Sequence, residues 1–113
     1  MVSWSGAFAL TFQDDGNLVL SIQSGGTTAA TYVGPLWAAY TQDRGGLTCV
    51  MQEDGNLVIY DESGNPLWNT GTEQNPGAFL AVQDDGNVVV YDHNLTPLWN
   101  TQTSARQASG ANA

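Results

Sequence analysis

The sequence predicts an all-β chain built as three antiparallel sheets around a pseudo-threefold axis. Three observations carry that expectation: a threefold internal repeat, apolar residues alternating at period two inside each repeat, and no eleven-residue window with helical periodicity. The repeat reads "FQDDGNLVLS" from Phe12, "MQEDGNLVIY" from Met51 and "VQDDGNVVVY" from Val82, each followed by an apolar-Trp signal: "GPLWAAYT", "NPLWNTGT" and "TPLWNTQT". Trp37, Trp68 and Trp99 are spaced 31 residues apart, as are Gln52 and Gln83, whereas Gln13 and Gln52 are 39 apart. The first unit therefore carries an eight-residue insertion, placed in the Gly/Thr/Ala-rich stretch 24–32, where a surface loop absorbs it at small entropic cost.

Each unit reads as strand, tight turn, strand, turn, strand. In the incoming strands the alternate residues Phe8, Leu10 and Phe12, then Leu47, Cys49 and Met51, then Ala78, Leu80 and Val82 are apolar, so that face is expected inward. Past the Asp-Gly turn, Leu18 and Leu20, Leu57 and Ile59, and Val88 and Val90 continue the inward set. The third strand of each unit supplies its Trp to the core. Three sheets too small to bury an apolar face alone are satisfied by packing on a common axis with the three Trp near it; a three-coil solenoid is the alternative and would leave ends to cap. Residues 1–103 are thus expected to form one domain with units at about 7–40, 41–71 and 72–103, and 104–113 a flexible C-terminal tail.

Composition narrows the function classes. The 113 residues hold two Arg, no Lys and eleven acids, a net charge of −9 that repels phosphate backbones and anionic membrane surfaces, so no nucleic acid and no membrane insertion are expected. Only 12% of residues are charged, and the polar remainder of Gly, Asn, Gln, Ser and Thr suits neutral hydrogen-bonding ligands. The one cysteine, Cys49, excludes an intrachain disulfide and aligns with Leu10 and Leu80 as a small core residue. The start "MVSWSGAFAL" has neither a basic n-region nor an apolar run before a cleavage site, so a soluble chain, cytoplasmic or released, is the expectation.

The outward residues are the informative ones. Gln52, Asp54, Asn56, Val58 and Tyr60 recur as Gln83, Asp85, Asn87, Val89 and Tyr91 at every second position. A hairpin tip explains Asp-Gly-Asn without any ligand, yet it does not explain a Gln before the turn with Val and Tyr at fixed offsets after it. Unit one has Gln13, Asp15, Asn17 and Val19, but Ser21 replaces the Tyr. The pattern Gln-x-Asp-x-Asn-x-Val-x-Tyr resembles the signature of the bulb-type, snowdrop-agglutinin-like mannose-binding lectins over nearly the whole chain. The resemblance implies a β-prism II of three four-stranded sheets, no catalysis and no cofactor. It also implies mannose sites in which Asp and Asn bind the axial O2, Gln reaches O3, Tyr reaches O4, and Val packs on C3 and C4. Carried over, units two and three are complete sites and unit one a degenerate possible site. The resemblance further implies a homodimer formed by exchange of the C-terminal strand around Leu98-Trp99, acting on mannosylated glycans through avidity. An interaction or toxin-type module on the same fold, with another sugar or a protein as its target, is the alternative reading.

Rival chemistries are disfavoured by spacing. A glycosidase needs two carboxyl groups roughly 5 to 9.5 Å apart across one substrate, and adjacent acids such as Asp84-Asp85 are expected to diverge. "QDDGN" lacks the oxygen-ligand frame of a calcium loop. His93 reads as a solvated turn residue, and Trp4, outside the repeat, as cover for an open end.

Overall fold

The computed structural model describes residues 1–22 and 34–103, so the insertion expected at 24–32 and the tail 104–113 lie outside the described residues. Nine strands are described: β1 (Phe8–Phe12), β2 (Leu18–Ile22), β3 (Gly34–Ala38), β4 (Gly46–Met51), β5 (Leu57–Asp61), β6 (Pro66–Asn69), β7 (Phe79–Val82), β8 (Val88–Tyr91) and β9 (Pro97–Asn100). They form three antiparallel sheets in sequence order, β1-β2-β3, β4-β5-β6 and β7-β8-β9. The inward rows past the Asp-Gly turns are buried as expected. Leu57 and Ile59 are buried at 3% and 0% exposure, and Val88 and Val90 at 1% and 0%.

Trp37, Trp68 and Trp99 meet edge to face, with ring centroids 5.6–5.8 Å apart in all three pairings. Three mutual contacts of nearly equal length place the rings around one axis, the closed prism rather than a solenoid, in the geometry aromatic quadrupoles favour. The same local device delivers each Trp. The register shifts between Leu20 and Ser21, Ile59 and Tyr60, and Val90 and Tyr91, so the Leu of each Pro-Leu-Trp is the extra residue of a bulge. Adjacent residues on a regular strand point to opposite faces; the bulge lets Leu36 and Trp37, and Leu67 and Trp68, both pack against the core.

Several expectations are corrected. The sheets are three-stranded among the described residues, not four-stranded, because the segments joining the units turn rather than ladder. Tyr40, Asp43, Gly45, Gln74 and Gly77 all have positive φ there. Among the described residues the first sheet alone gains a partial fourth strand: Val2 pairs with Ala9, Leu10 N–H donates to the Met1 carbonyl at 2.7 Å, and the Met1 amino group donates to the Leu10 carbonyl at 3.0 Å. Leu47 is 62% exposed instead of inward, since a second register shift between Gly46 and Thr48 leaves it unpaired. Ala78 precedes β7 and belongs to a turn, donating its N–H to the Asn75 carbonyl at 3.0 Å. Trp4 is 96% exposed and covers nothing.

Candidate functional site

Each motif is assembled at a hairpin tip. Gln52 N–H donates to the Asn56 carbonyl at 2.9 Å and Gly55 N–H to the Gln52 carbonyl at 3.0 Å; Gln83, Gly86 and Asn87 repeat this at 2.8 and 3.0 Å. Gly55 has φ +95°, and a Cβ there would lie 2.3 Å from the Asn75 carbonyl oxygen, so the turn demands glycine twice over. Asp54 Oδ1 accepts Asn56 N–H at 2.9 Å and Asp85 Oδ1 accepts Asn87 N–H at 2.9 Å, the local bond that makes Asp favourable at such turns. One carboxylate oxygen therefore serves the turn.

The Asn side chain tells ligand-facing from structural atoms. Asn56 Oδ1 accepts the Thr70 hydroxyl at 3.1 Å and Thr72 N–H at 3.2 Å, and Asn87 Oδ1 accepts the Thr101 hydroxyl at 3.0 Å and Thr103 N–H at 3.4 Å. Thr72 in turn donates to the Gly55 carbonyl at 2.5 Å, and Thr103 to that of Gly86. With Oδ1 so occupied, each Asn has its Nδ2 to offer outward, as a donor. Asn56 Nδ2 also lies 3.4 Å from Asn69 Oδ1. Asn69, Asn100 and the threonine pairs adjoin the candidate site, and reading the nine-residue motif alone misses them. Their signal was the repeated Trp-Asn-Thr-x-Thr of units two and three, against Trp37-Ala38-Ala39-x-Thr41 in unit one.

Val, Gln and Tyr complete the face. Val58 stands opposite Val50 on one side and Asn69 on the other, and Val89 opposite Ala81 and Asn100, so all lie on the outer face. Yet Val58 and Val89 are each only 3% exposed, where an exposed Val was expected. They are central-strand residues with a strand paired on either side, which makes them a floor. Gln52 Nε2 donates to the Tyr60 hydroxyl oxygen, and Gln83 Nε2 to that of Tyr91, bridging the two strands of each hairpin. Tyr91 is further braced by Phe79 opposite it, rings 5.7 Å apart, where Tyr60 faces Thr48.

Unit one retains the frame and loses the clamp. Asp15 Oδ1 accepts Asn17 N–H at 3.0 Å, and Asn17 Oδ1 accepts Thr41 N–H at 3.1 Å. Ser21 faces Ala9 and cannot reach Gln13, which is exposed, unlike the half-buried Gln52 and Gln83. Ala38 stands opposite Val19 where Asn69 and Asn100 stand opposite Val58 and Val89.

The other candidates have structural employment. Asp84 Oδ1 accepts Ser5 N–H at 2.8 Å while Asp85 serves its own turn, so the adjacent carboxyl groups have separate partners. Cys49 packs against the core, where burial pushes its thiol pKa up. His93 sits exposed in the turn between β8 and β9.

Comparison with known proteins yields neither a matching family model nor a matching curated sequence. Solved structures do match. A lectin from Japanese Marasmius oreades is 30% identical with a TM-score of 0.76, over 92% of this chain and 80% of that one. A monomeric monocot mannose-binding lectin from Gastrodia elata is 33% identical, TM-score 0.68, over 87% of this chain and 82% of that one. The mannose-specific agglutinin of snowdrop (Galanthus nivalis) bulbs, complexed with methyl-α-D-mannoside, is 36% identical, TM-score 0.62, over 87% and 81%.

Proposed function

The chain belongs to the bulb-type mannose-binding lectin family, a carbohydrate-binding lectin on the β-prism II fold, and we propose that it binds mannose at two sites per chain without catalysis. One observation carries this reading: in units two and three alike, an Asp-Asn pair and a bridged Gln-Tyr pair surround a buried Val on one sheet face.

A pyranose offers neutral hydroxyls, each both donor and acceptor, around a small patch of C–H groups. A hydroxyl set between Asp54 and Asn56 donates to the carboxylate and accepts from Asn56 Nδ2, so the two side chains take one oxygen from opposite senses. Gln52 and Tyr60 take the next two, and Val58 gives the C–H patch an apolar floor. Asp85, Asn87, Gln83, Tyr91 and Val89 do the same in unit three. The snowdrop agglutinin bound to a mannoside supports mannose as the sugar.

Calorimetry with methyl α-mannoside tests this. A stoichiometry of two per chain is expected, falling to one in Gln52→Ala and to background in the Gln52→Ala, Gln83→Ala double variant. No heat with the mannoside, or a double variant that binds as before, would overturn it. Exchange of β9 between two chains, which would bring four sites together for multivalent glycans, is the quaternary part of the proposal. In the single chain β9 pairs with its own β8. Light scattering should give twice the 12.0 kDa chain mass; the chain mass itself would refute the dimer and match the monomeric Gastrodia relative.

A further inference from the structure

Unit one is rebuilt rather than merely damaged. A cavity of about 400 Å³ lies on its outer face, lined among others by Gln13, Asn17, Val19, Pro35, Ala38 and Tyr40. Among the described residues no charged side chain lines it, which suits a neutral ligand. Three replacements relative to units two and three define its chemistry. Ser21 in place of Tyr leaves the Gln13 amide without a side-chain bond among the described residues, so a carbonyl and an NH₂ stand side by side at the rim. Ala38 in place of Asn turns a polar wall into a methyl group beside Val19. Tyr40, where Gly71 and Gln102 stand in the other units, is a 74% exposed aromatic ring on a residue with φ +59°, an unfavourable backbone region for a bulky side chain.

An unsubstituted hexose fits this poorly, since a hydroxyl laid against Ala38, where Asn69 and Asn100 stand in the other units, would lose water without gaining a partner there. An acetamido group fits well. Its N–H and C=O pair reciprocally with the Gln13 amide, its methyl meets Val19 and Ala38, Asn17 Nδ2 donates to a ring substituent because Thr41 holds Asn17 Oδ1, and Tyr40 covers the pyranose face. We propose that unit one is a distinct site for a neutral N-acetylated hexosamine. It rests on the carbohydrate-binding reading of this sheet face but not on mannose.

Amide NMR spectra of the full chain, titrated separately with the methyl glycoside of N-acetylglucosamine and with methyl α-mannoside, test it. The acetamido sugar should shift the side-chain amides of Gln13 and Asn17 and leave those of Gln52, Asn56, Gln83 and Asn87 in place. Tyr40→Gly, which removes the ring and suits the positive φ, should weaken that response about two- to tenfold, the usual worth of an aromatic contact. Ala38→Asn should weaken it similarly. Silence at Gln13 and Asn17, equal shifts in all three units, or an unchanged titration in both variants would overturn the proposal. The mannoside titration reads units two and three separately, so loss of the mannose reading would leave a Gln13 response standing.

Discussion

At the scale of single residues, fold and binding share the same side chains unequally. Asn56 and Asn87 look like ligand residues in the sequence, but half of each amide ties the hairpin tip to the end of the next strand. Asn56→Ala is therefore expected to abolish site two and also to lower stability by about 1–3 kcal/mol, because it strands the Thr72 N–H and leaves the Thr70 hydroxyl only its Thr72 and Leu57 partners. Thermal unfolding alongside calorimetry separates the two losses. Tyr60→Phe should behave differently: it removes only the oxygen that accepts from Gln52, costing binding about 0.5–1.5 kcal/mol at one site and leaving the melting temperature nearly unchanged. A large fall in melting temperature would show that the clamp holds the hairpin together.

At the scale of elements, the hairpins carry the repeat. The same turn recurs with glycine at φ +87°, +95° and +90° in Gly16, Gly55 and Gly86. Gly55→Ala combines a left-handed backbone with a clash against the Asn75 carbonyl, so it should destabilise by upwards of about 1–3 kcal/mol in denaturant unfolding. The β5–β6 turn responds to pH. Asp61 is held below the usual carboxylate range first by the Asn65 N–H, with Ser63 and the Asn65 side chain adding to it and desolvation opposing. A lowered folded pKa means that its contribution is present above the unfolded value and lost as pH falls through the folded one. Asp61→Asn should thus narrow its stability deficit to wild type as pH drops below about 3.9. An unchanged deficit would show that the turn does not use the charge.

For the whole molecule, closure depends on contacts between units. The tryptophan triad joins all three sheets, and Ser5 N–H bonded to Asp84 links the amino-terminal segment to unit three across 79 residues. Trp68→Ala should cost about 3–5 kcal/mol, the range for aromatic truncation in a core, and destabilise all three units together in one transition. Hydrogen exchange that loosens only the second sheet would contradict a shared core.

The repeat, the all-β class, the inward rows such as Leu57 and Ile59, and the alternate outward set that names the candidate sites are all legible in the amino-acid sequence. Period two and turn chemistry are local, so they can be read from spacing. The sequence did not determine that Leu67 and Trp68 share a face, that Leu47 turns out, that Val58 is a floor, or that Asn56 is half committed to Thr70 and Thr72. A bulge depends on which residue a strand's partner skips, and a side chain's free atoms depend on neighbours that only folding brings near. Unit one shows the limit of reading by motif: the missing Tyr is visible at Ser21, but the cavity formed with Ala38 and Tyr40, from another strand and the turn beyond it, exists only once the sheet is built.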